Sequence, residues 1–224
     1  ERQKDRLTKK ARGNDKDAIE RLETYEPALK LLEEGNPLRA GDWNENQYSL
    51  LASGGFITIK PVLYVCNVDE EGAVNGNDFS EIVAGRAAEE GAGHVVISGQ
   101  IEAELSEMDP GDRGEFLADL GLDAPGLNKL ARAAYTLLGL QTYFTAGEKE
   151  VRAWTIPLGA TGPQAAGVIH TDFEKGFIRA QVYSLEDLQT HKTEAALKAA
   201  GRLRAEGKEY IVQDGDIMHF LFNV

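Results

Sequence analysis

The first fifty-five residues carry two segments with a helical pattern. Between residues 18 and 32, apolar side chains recur at steps of three and four, which places them on one helix face. These side chains are Ile19, Leu22, Tyr25, Leu29 and Leu32. Residues 1–12 are helical in pattern but highly charged, and Gly13-Asn14-Asp15 separates the segments, with Asp15 placed to cap the second. We predict a helical hairpin, or coiled-coil arm, over residues 1–55; a surface helix pair with solvated charges is the plainer alternative.

The middle of the chain alternates between strand and helix. An apolar, β-branched run predicts a buried strand over 56–66, residues 78–90 read as an amphipathic helix, and a second strand follows at 94–97. This order is a parallel crossover unit, so it brings residues 67–70 and 98–100 to the same edge of a sheet. A further helix is predicted over 124–140, facing inward through Leu127, Leu130, Ala134, Leu137 and Leu138. We assign residues 56–139 to an α/β domain.

From residue 140 onward the elements become shorter. Strands are predicted over 142–144, 150–157 and 176–182, and two more short strands over 210–222 around Asp214-Gly215. Helices are predicted over 161–169, 185–191 and 193–206. A small mixed sheet with helices across it is a β-grasp-like pattern, which we assign to residues 140–224.

Composition narrows the classes of function. The 224 residues carry a formal net charge of −13, which argues against indiscriminate nucleic-acid binding. No apolar run approaches the length of a membrane span, so we expect no membrane partner, and the single cysteine, Cys66, fits a reducing cytoplasm and a structural thiol. None of the four histidines has a ligand partner at useful spacing, so no metal-binding residue is predicted.

The tetrad Asn67-Val68-Asp69-Glu70 carries the most specific chemistry. Ligands of open α/β sheets lie outside the carboxyl ends of the strands, which is where this tetrad stands. P-loop GTPases have Asn-Lys-x-Asp there, and the Asp pairs with two donors of guanine. Here the fourth residue is Glu70, one methylene longer, and adenine lacks those two donors, so the tetrad suggests adenine. A turn capped by Asn and Asp would look similar.

The chain resembles the YchF family, the Obg-like ATPases, over nearly all of its length. The resemblance lies in long and idiosyncratic segments: 67–70, 98–100, 140–147, 148–157, 170–180 and 214–218. It implies that Asn67, Val68 and Glu70 recognise the base, and that Ser98 and Gly99 belong to a loop closing over it. It also implies the C-terminal part of a P-loop GTPase-like parallel-sheet domain, followed from about residue 140 by a TGS domain. The implied protein is a cytoplasmic, ribosome-associated ATPase.

This sequence departs from the family at the motif that binds the nucleotide phosphates. The family begins with Gly-x-x-x-x-Gly-Lys-Ser/Thr, which this sequence lacks. We therefore expect this chain to correspond to the C-terminal part of a longer protein, with Mg²⁺ held by upstream residues. ATP is the expected nucleotide, with GTP as the alternative, and no catalytic residue is assigned. Alone, the chain should not hydrolyse ATP, because phosphoryl transfer depends on phosphate and metal positioning.

Two interpretations remain open. In the rival to the nucleotide switch, the chain is a non-catalytic module whose arm and TGS domain dock RNA or protein. A C-terminal cluster of basic residues bears on this, either as a solvated surface or as a contact with ribosomal RNA or protein. Its members are Lys192, Lys198, Arg202, Arg204 and Lys208.

Overall fold

The computed structural model describes residues 2–147 and 150–223 and separates into two compact units, divided between Ala133 and Ala134. Glu148 and Lys149, which begin one of the resemblance segments, lie outside the described residues. Within those described ranges, no helix combines the length and apolarity that crossing a lipid bilayer would require.

The first unit is mostly helical and contains one small parallel sheet. Its helices are α1 (Arg2–Ala11), α2 (Lys16–Glu33), α3 (Glu45–Ser53), α4 (Asp78–Glu90), α5 (Gly99–Glu107), α6 (Arg113–Asp119) and α7 (Gly126–Leu137), the last continuing past Ala133. Its strands are β1 (Leu63–Asn67) and β2 (Gly93–Ile97), and 3-10 turns lie at Leu38–Ala40 and Ile57–Ile59.

Local sequence signals explain several of these boundaries. Asp15 caps α2 as predicted, since its carboxylate accepts the Ala18 N–H at 3.2 Å. Helix α4 has the predicted bounds because Asn77 and Ser80 form a capping box and Gly91, at φ 63°, ends the helix in the left-handed region. The crossover is also confirmed: β1 and β2 are parallel, with Leu63 opposite Gly93 and Asn67 opposite Ile97.

Two small cores hold the first unit. One joins α2, α3 and the 3-10 turns through Tyr25, Leu38, Leu51 and Ile59, with the Phe56 ring edge-on to Tyr25 at 5.4 Å. The other packs α5 and α6 through buried Ile101, Leu105 and Leu117, together with neighbouring loop residues. Burying one such leucine stabilises a fold by about 1.5–3 kcal/mol, so the second cluster holds α5 against α6.

The strand predicted over 56–66 differs from the structure in its bounds and in its burial. The strand expected over 56–66 is a 3-10 turn followed by a strand that starts only at Leu63, after Pro61. It is also not fully buried, because β1 has one partner strand among the described residues and Val65 is 46% exposed. In the stripe predicted for α2, Tyr25 is buried and Ile19, Leu22 and Leu29 are half-buried, and Leu32 at the end of the helix is exposed.

The expected helix over 124–140 is also shorter than predicted. Helix α7 ends at Leu137, because Gly139 adopts a positive φ of 61° and the chain enters a strand at Leu140. Two of its predicted inward residues, Leu127 and Leu138, are 55% and 59% exposed, and α7 has no fully buried residue among those described.

The second unit is a mixed five-stranded sheet with helices, as the pattern predicted. Its strands are β3 (Leu140–Ala146), β4 (Val151–Pro157), β5 (Phe177–Tyr183), β6 (Arg204–Glu206) and β7 (Ile217–Phe222); its helices are α8 (Gly162–Ile169), α9 (Thr171–Lys175), α10 (Leu185–His191) and α11 (Glu194–Ala199). The strand order is β4-β3-β7-β5-β6, with β3 and β7 parallel and the other neighbours antiparallel. Tyr143, Ile156, Val182 and Met218 form the main core.

Two elements of the second unit differ from expectation. The helix predicted over 193–206 stops at Ala199, because Gly201 has φ 70°, and the remaining residues form the edge strand β6. Only one strand forms near the C-terminus; Ile211 makes an isolated bridge to Thr161 instead of starting another.

Candidate functional site at the ends of the parallel strands

The side chain of Asn67 ties the end of β1 to the start of α5. Asn67 is the last residue of β1, and its Oδ1 accepts the Gly99 N–H at 2.8 Å. The parallel register makes this possible, because it sets Asn67 opposite Ile97, and α5 begins immediately beyond. The predicted meeting of segments 67–70 and 98–100 is therefore observed.

This bond fixes what Asn67 can offer a ligand. A backbone N–H is a donor only, so the amide atom facing it must be the oxygen, and Nδ2 is left with two donor hydrogens. Both purines present a ring nitrogen, N7, that accepts a hydrogen bond. Asn67 is exposed, so its amide can recognise a purine while its oxygen still holds Gly99.

The backbone of Val68 offers an acceptor and no free donor. Its N–H donates to the Ile97 carbonyl at 2.9 Å, which extends the β1–β2 ladder by one bond. Its own carbonyl accepts no hydrogen bond from the residues that the structure describes. An unpaired carbonyl suits the 6-amino donor of adenine and opposes the 6-oxygen of guanine.

Asp69 and Glu70 have different surroundings. The Asp69 carboxylate caps the following turn by accepting the Gly72 N–H at 2.9 Å. The Glu70 side chain is exposed and has no hydrogen bond or ion pair with the described residues. Of the two carboxylates, Glu70 alone is left uncommitted within that part of the chain.

Ser98 is a buried hydroxyl without a partner. The residue is 3% exposed, and its Oγ makes no hydrogen bond with the described residues, although it stands at the N-cap position of α5. Buried side-chain polar atoms are nearly always satisfied, so this hydroxyl is an exception among the residues that the structure describes.

Within the segment 98–100, which the resemblance implies is a loop, Ser98 is non-helical, whereas Gly99 and Gln100 already belong to α5. Gly99 and Gln100 form the first turn of α5, and the Gln100 amide donates to Glu104 along the helix surface at 3.2 Å. A Cβ on Gly99 would lie 3.3 Å from Asn67 Oδ1, so the close contact favours glycine.

A cavity of about 250 Å³ borders this edge. Its wall includes Asn67, Val68, Phe79 and Val83, together with other residues of β1 and α4. An apolar wall with a few convergent polar groups is the usual character of a small-molecule site. Larger cavities exist elsewhere, but the strand-end chemistry described above adjoins this one.

Supporting contacts around the site were not predicted. The Gly126 N–H donates to Glu102 Oε1 at 2.5 Å, which joins α5 to the start of α7. On the other side, Tyr64 of β1 donates to Glu90 of α4 at 2.8 Å, and Arg86 pairs with the same carboxylate at 2.6 Å. The tyrosine hydrogen bond lowers the pKa of Glu90 and raises the pKa of Tyr64. Of these contacts, the sequence could have predicted the Arg86–Glu90 ion pair, because the two residues are four apart on one helix.

The C-terminal basic cluster does not form one face. Because the expected helix breaks at Gly201, two of its arginines lie beyond α11, and both pair with carboxylates: Arg202 with Asp187 at 3.6 Å, and Arg204 with Asp216 at 3.4 Å. Pairing leaves these two less available to an RNA ligand than the sequence suggested. Among the described residues, no group of three or more acidic, histidine or cysteine side chains is arranged to hold a metal.

Comparisons with known proteins agree on one family. A family model described as "YchF-GTPase_C: Protein of unknown function (DUF933)" matches residues 140–223. Two curated relatives, both named "Ribosome-binding ATPase YchF", come from Escherichia coli O157:H7 (54% identical over 219 residues) and Bacillus subtilis strain 168 (44% over 221). Each alignment covers 98% of this chain but only 60% of the relative, so the chain spans less than two thirds of their length.

A solved structure gives the same result for the fold. The YchF GTPase of Schizosaccharomyces pombe is similar with a TM-score of 0.78 and 35% identity, covering 92% of this chain and 55% of that one. Because it covers 92% of this chain, the match includes residues of both units.

Proposed function

The chain belongs to the YchF family, and from that premise we propose that it is the base-recognising and ribosome-docking part of an ATPase. The strand-end site would read adenine, and the complete protein would hydrolyse ATP in association with the ribosome, in the cytoplasm. The relatives are named ribosome-binding ATPases, which supports this proposal.

The observation that carries the proposal is the Asn67–Gly99 hydrogen bond. It leaves an amide donor for purine N7 beside the free carbonyl of Val68, which complements the adenine amino group. The unpaired Ser98 hydroxyl lies next to this pair, at the start of α5. Glu70 is exposed and free to reach the base edge, whereas Asp69 is held in its turn.

Phosphate binding and Mg²⁺ coordination do not fit these residues. The 224 residues contain no Gly-x-x-x-x-Gly-Lys-Ser/Thr, and the described part has no cluster suited to a metal. Hydrolysis depends almost wholly on positioning the phosphates and their metal, so we assign that work to residues outside this sequence. The role of this chain is to hold and select the base.

We also propose that α1 and α2 form the family's helical arm and that the second unit is its TGS domain. Two consecutive helices, α1 and α2, are consistent with a helical arm. A mixed sheet in which β3 and β7 are parallel is consistent with a TGS domain. Both would serve ribosome docking. The boundaries at residues 55 and 139 remain part of this proposal.

A paired titration tests the base preference. The chain, extended to the length of its relatives, is titrated with ATP and with GTP, alongside Glu70→Ala, Glu70→Asp and the control Glu71→Ala, which removes the neighbouring exposed carboxylate. We expect a clear preference for ATP that Glu70→Ala reduces and Glu71→Ala leaves intact. Glu70→Asp should gain affinity for GTP by roughly 5–150-fold, the range of one good bidentate base contact.

The titration can also contradict the proposal. If ATP and GTP bind equally, or not at all, the base site is not functional. The docking-module interpretation then replaces the ATPase, with the arm and the second unit as the working parts.

A further inference from the structure

Helix α7 begins where the preceding residues supply no side-chain cap. Its first residue is Gly126, and the two residues before it, Ala124 and Pro125, have side chains without a hydrogen-bond acceptor. The first N–H groups of a helix have no partner within the helix, so they need an acceptor from elsewhere. Glu102 of α5 supplies one, because its Oε1 accepts the Gly126 N–H at 2.5 Å. A carboxylate in this place also interacts favourably with the positive end of the α7 dipole.

Glu102 belongs to the helix that borders the base site. Its own N–H donates to the Ser98 carbonyl at 3.1 Å, which closes the first turn of α5. At the beginning of that turn, the Gly99 N–H donates to Asn67 at 2.8 Å. The first turn of α5 is therefore held at two points, by Asn67 of β1 at one end and through Glu102 by α7 at the other.

The start of α7 packs directly against the end of β2. A Cβ added to Gly126 would lie 3.1 Å from the Cβ of Ile97 and 3.1 Å from Glu102 Oε1, which is closer than ordinary van der Waals contact. Glycine therefore permits the close approach of α7 to β2 at this position. The hydrogen bond to Glu102 holds the helix in that place.

Ile97 connects this packing to the base site. Its carbonyl accepts the Val68 N–H at 2.9 Å, which fixes the peptide segment whose carbonyl we propose as the acceptor for the adenine amino group. Ser98 follows Ile97 directly in the chain. A shift of Ile97 would therefore move both of these residues of the site. The contacts are continuous from Glu102, through the start of α7 and the end of β2, to Val68.

We propose that Glu102 is a positioning residue for the base site. It does not touch the nucleotide; it holds the start of α7 against β2 and so keeps Val68 and Ser98 where the base contacts require them. This rests on the proposed function, since it assigns a role in base selection to a residue outside the site. A cap with a purely local effect would stabilise α7 and leave nucleotide selection unchanged.

The test compares three substitutions on α5 in the protein extended to the length of its relatives. Glu102→Ala removes the acceptor, Glu102→Gln keeps an oxygen that can accept the Gly126 N–H, and Glu107→Ala is the control. Glu107 is an exposed carboxylate of the same helix, and it makes no hydrogen bond or ion pair with the described residues. Affinities for ATP and for GTP are measured for each variant, and urea denaturation establishes that each is folded during the titration.

We expect Glu102→Ala to weaken ATP binding by roughly 2- to 12-fold, the equivalent of one hydrogen bond, and to reduce the preference for ATP over GTP. The preference should fall because the Val68 carbonyl is the group that distinguishes the adenine amino group from the guanine oxygen. Glu102→Gln and Glu107→Ala should bind both nucleotides like the parent. A loss of stability alone would lower both affinities by the same factor.

Hydrogen exchange shows how far the effect extends. In Glu102→Ala, the Gly126 amide should lose protection, and so should the Val68 amide, which donates to Ile97. If Glu102 acted only as a local cap, protection would be lost at Gly126 and retained at Val68.

The inference is overturned if Glu102→Ala keeps the parent's preference for ATP, or if Glu102→Gln loses as much as Glu102→Ala. The proposed function stands in both cases, because the parent still selects ATP. A parent that binds ATP and GTP equally refutes the proposed function, and the inference with it.

Gly126→Ala takes the place of Glu102→Ala if the latter does not fold. It retains the backbone N–H and the Glu102 carboxylate but presses a Cβ against Ile97. We expect the same reduced preference for ATP, and parent-like selectivity in this variant would overturn the inference.

Discussion

Replacing Asn67 by alanine or by aspartate separates the two hydrogen-bonding groups of its amide. Alanine removes both the oxygen that accepts the Gly99 N–H and the Nδ2 donor offered to a base. Aspartate keeps an oxygen for Gly99 and loses only the donor. The two variants therefore distinguish a structural tie from a base contact.

The structure sets the expected magnitudes. The Asn67–Gly99 bond is 2.8 Å long between exposed residues, so Asn67→Ala should lower the free energy of unfolding of the first unit by about 0.5–1.5 kcal/mol. Asn67→Asp should not lower it, because a carboxylate at the start of α5 gains from the helix dipole. Its ATP affinity should nevertheless fall by roughly 5–150-fold, the cost of about 1–3 kcal/mol for an unpaired base acceptor.

Urea denaturation followed by circular dichroism gives the unfolding free energies, and nucleotide titration of the chain extended to the relatives' length gives the affinities. Hydrogen exchange at the Gly99 amide adds a local reading, since protection should drop in Asn67→Ala alone. The reasoning fails if Asn67→Asp binds ATP as tightly as the parent, or if Asn67→Ala leaves both stability and Gly99 protection unchanged.

Two further predictions concern the second unit. Gly176→Ala should destabilise it by about 1–3 kcal/mol, because a Cβ would overlap the Asn223 carbonyl oxygen, whereas Gly207→Ala meets open space and should unfold like the parent in the same urea titration. Burial raises the pKa of Tyr183 and of Tyr210 to about 12, so both stay protonated after the unfolded chain has ionised near pH 10. Stability should therefore be complete below pH 10 and decline from pH 10 to 12; the double substitution by Phe should flatten that decline, and an equally steep loss would contradict the assignment.

The sequence predicted correctly the bounds of elements whose ends are set by neighbouring capping residues. Helix α4 has its predicted bounds because Asn77 and Gly91 act within one turn of its ends. Helix α11 was overextended because the periodic pattern outweighed Gly201, which takes a positive φ. Helix α5 was missed, since its pattern is short and its stability comes from packing against α6.

The candidate site was predictable in outline but not in its hydrogen bonds. The parallel crossover placed residues 67–70 and 98–100 together from pattern alone. Which atom of Asn67 would be engaged, and that Ser98 would be buried without a partner, depend on side-chain geometry that no spacing encodes. The roles of Glu70 and Val68 toward a base remain predictions.

The open side of β1 has a consequence for handling the protein. Within the described residues this strand pairs only with β2, and its other edge presents unpaired backbone groups beside the exposed Val65. Such an edge can recruit the same edge of another molecule, and mutual repulsion between chains of net charge −13 is what opposes it. The screening length of electrostatic repulsion falls from about 10 Å at 0.1 M salt to about 3 Å at 1 M. We therefore expect concentrated solutions of the protein to stay clear at low ionic strength and to become turbid through aggregation as salt is added.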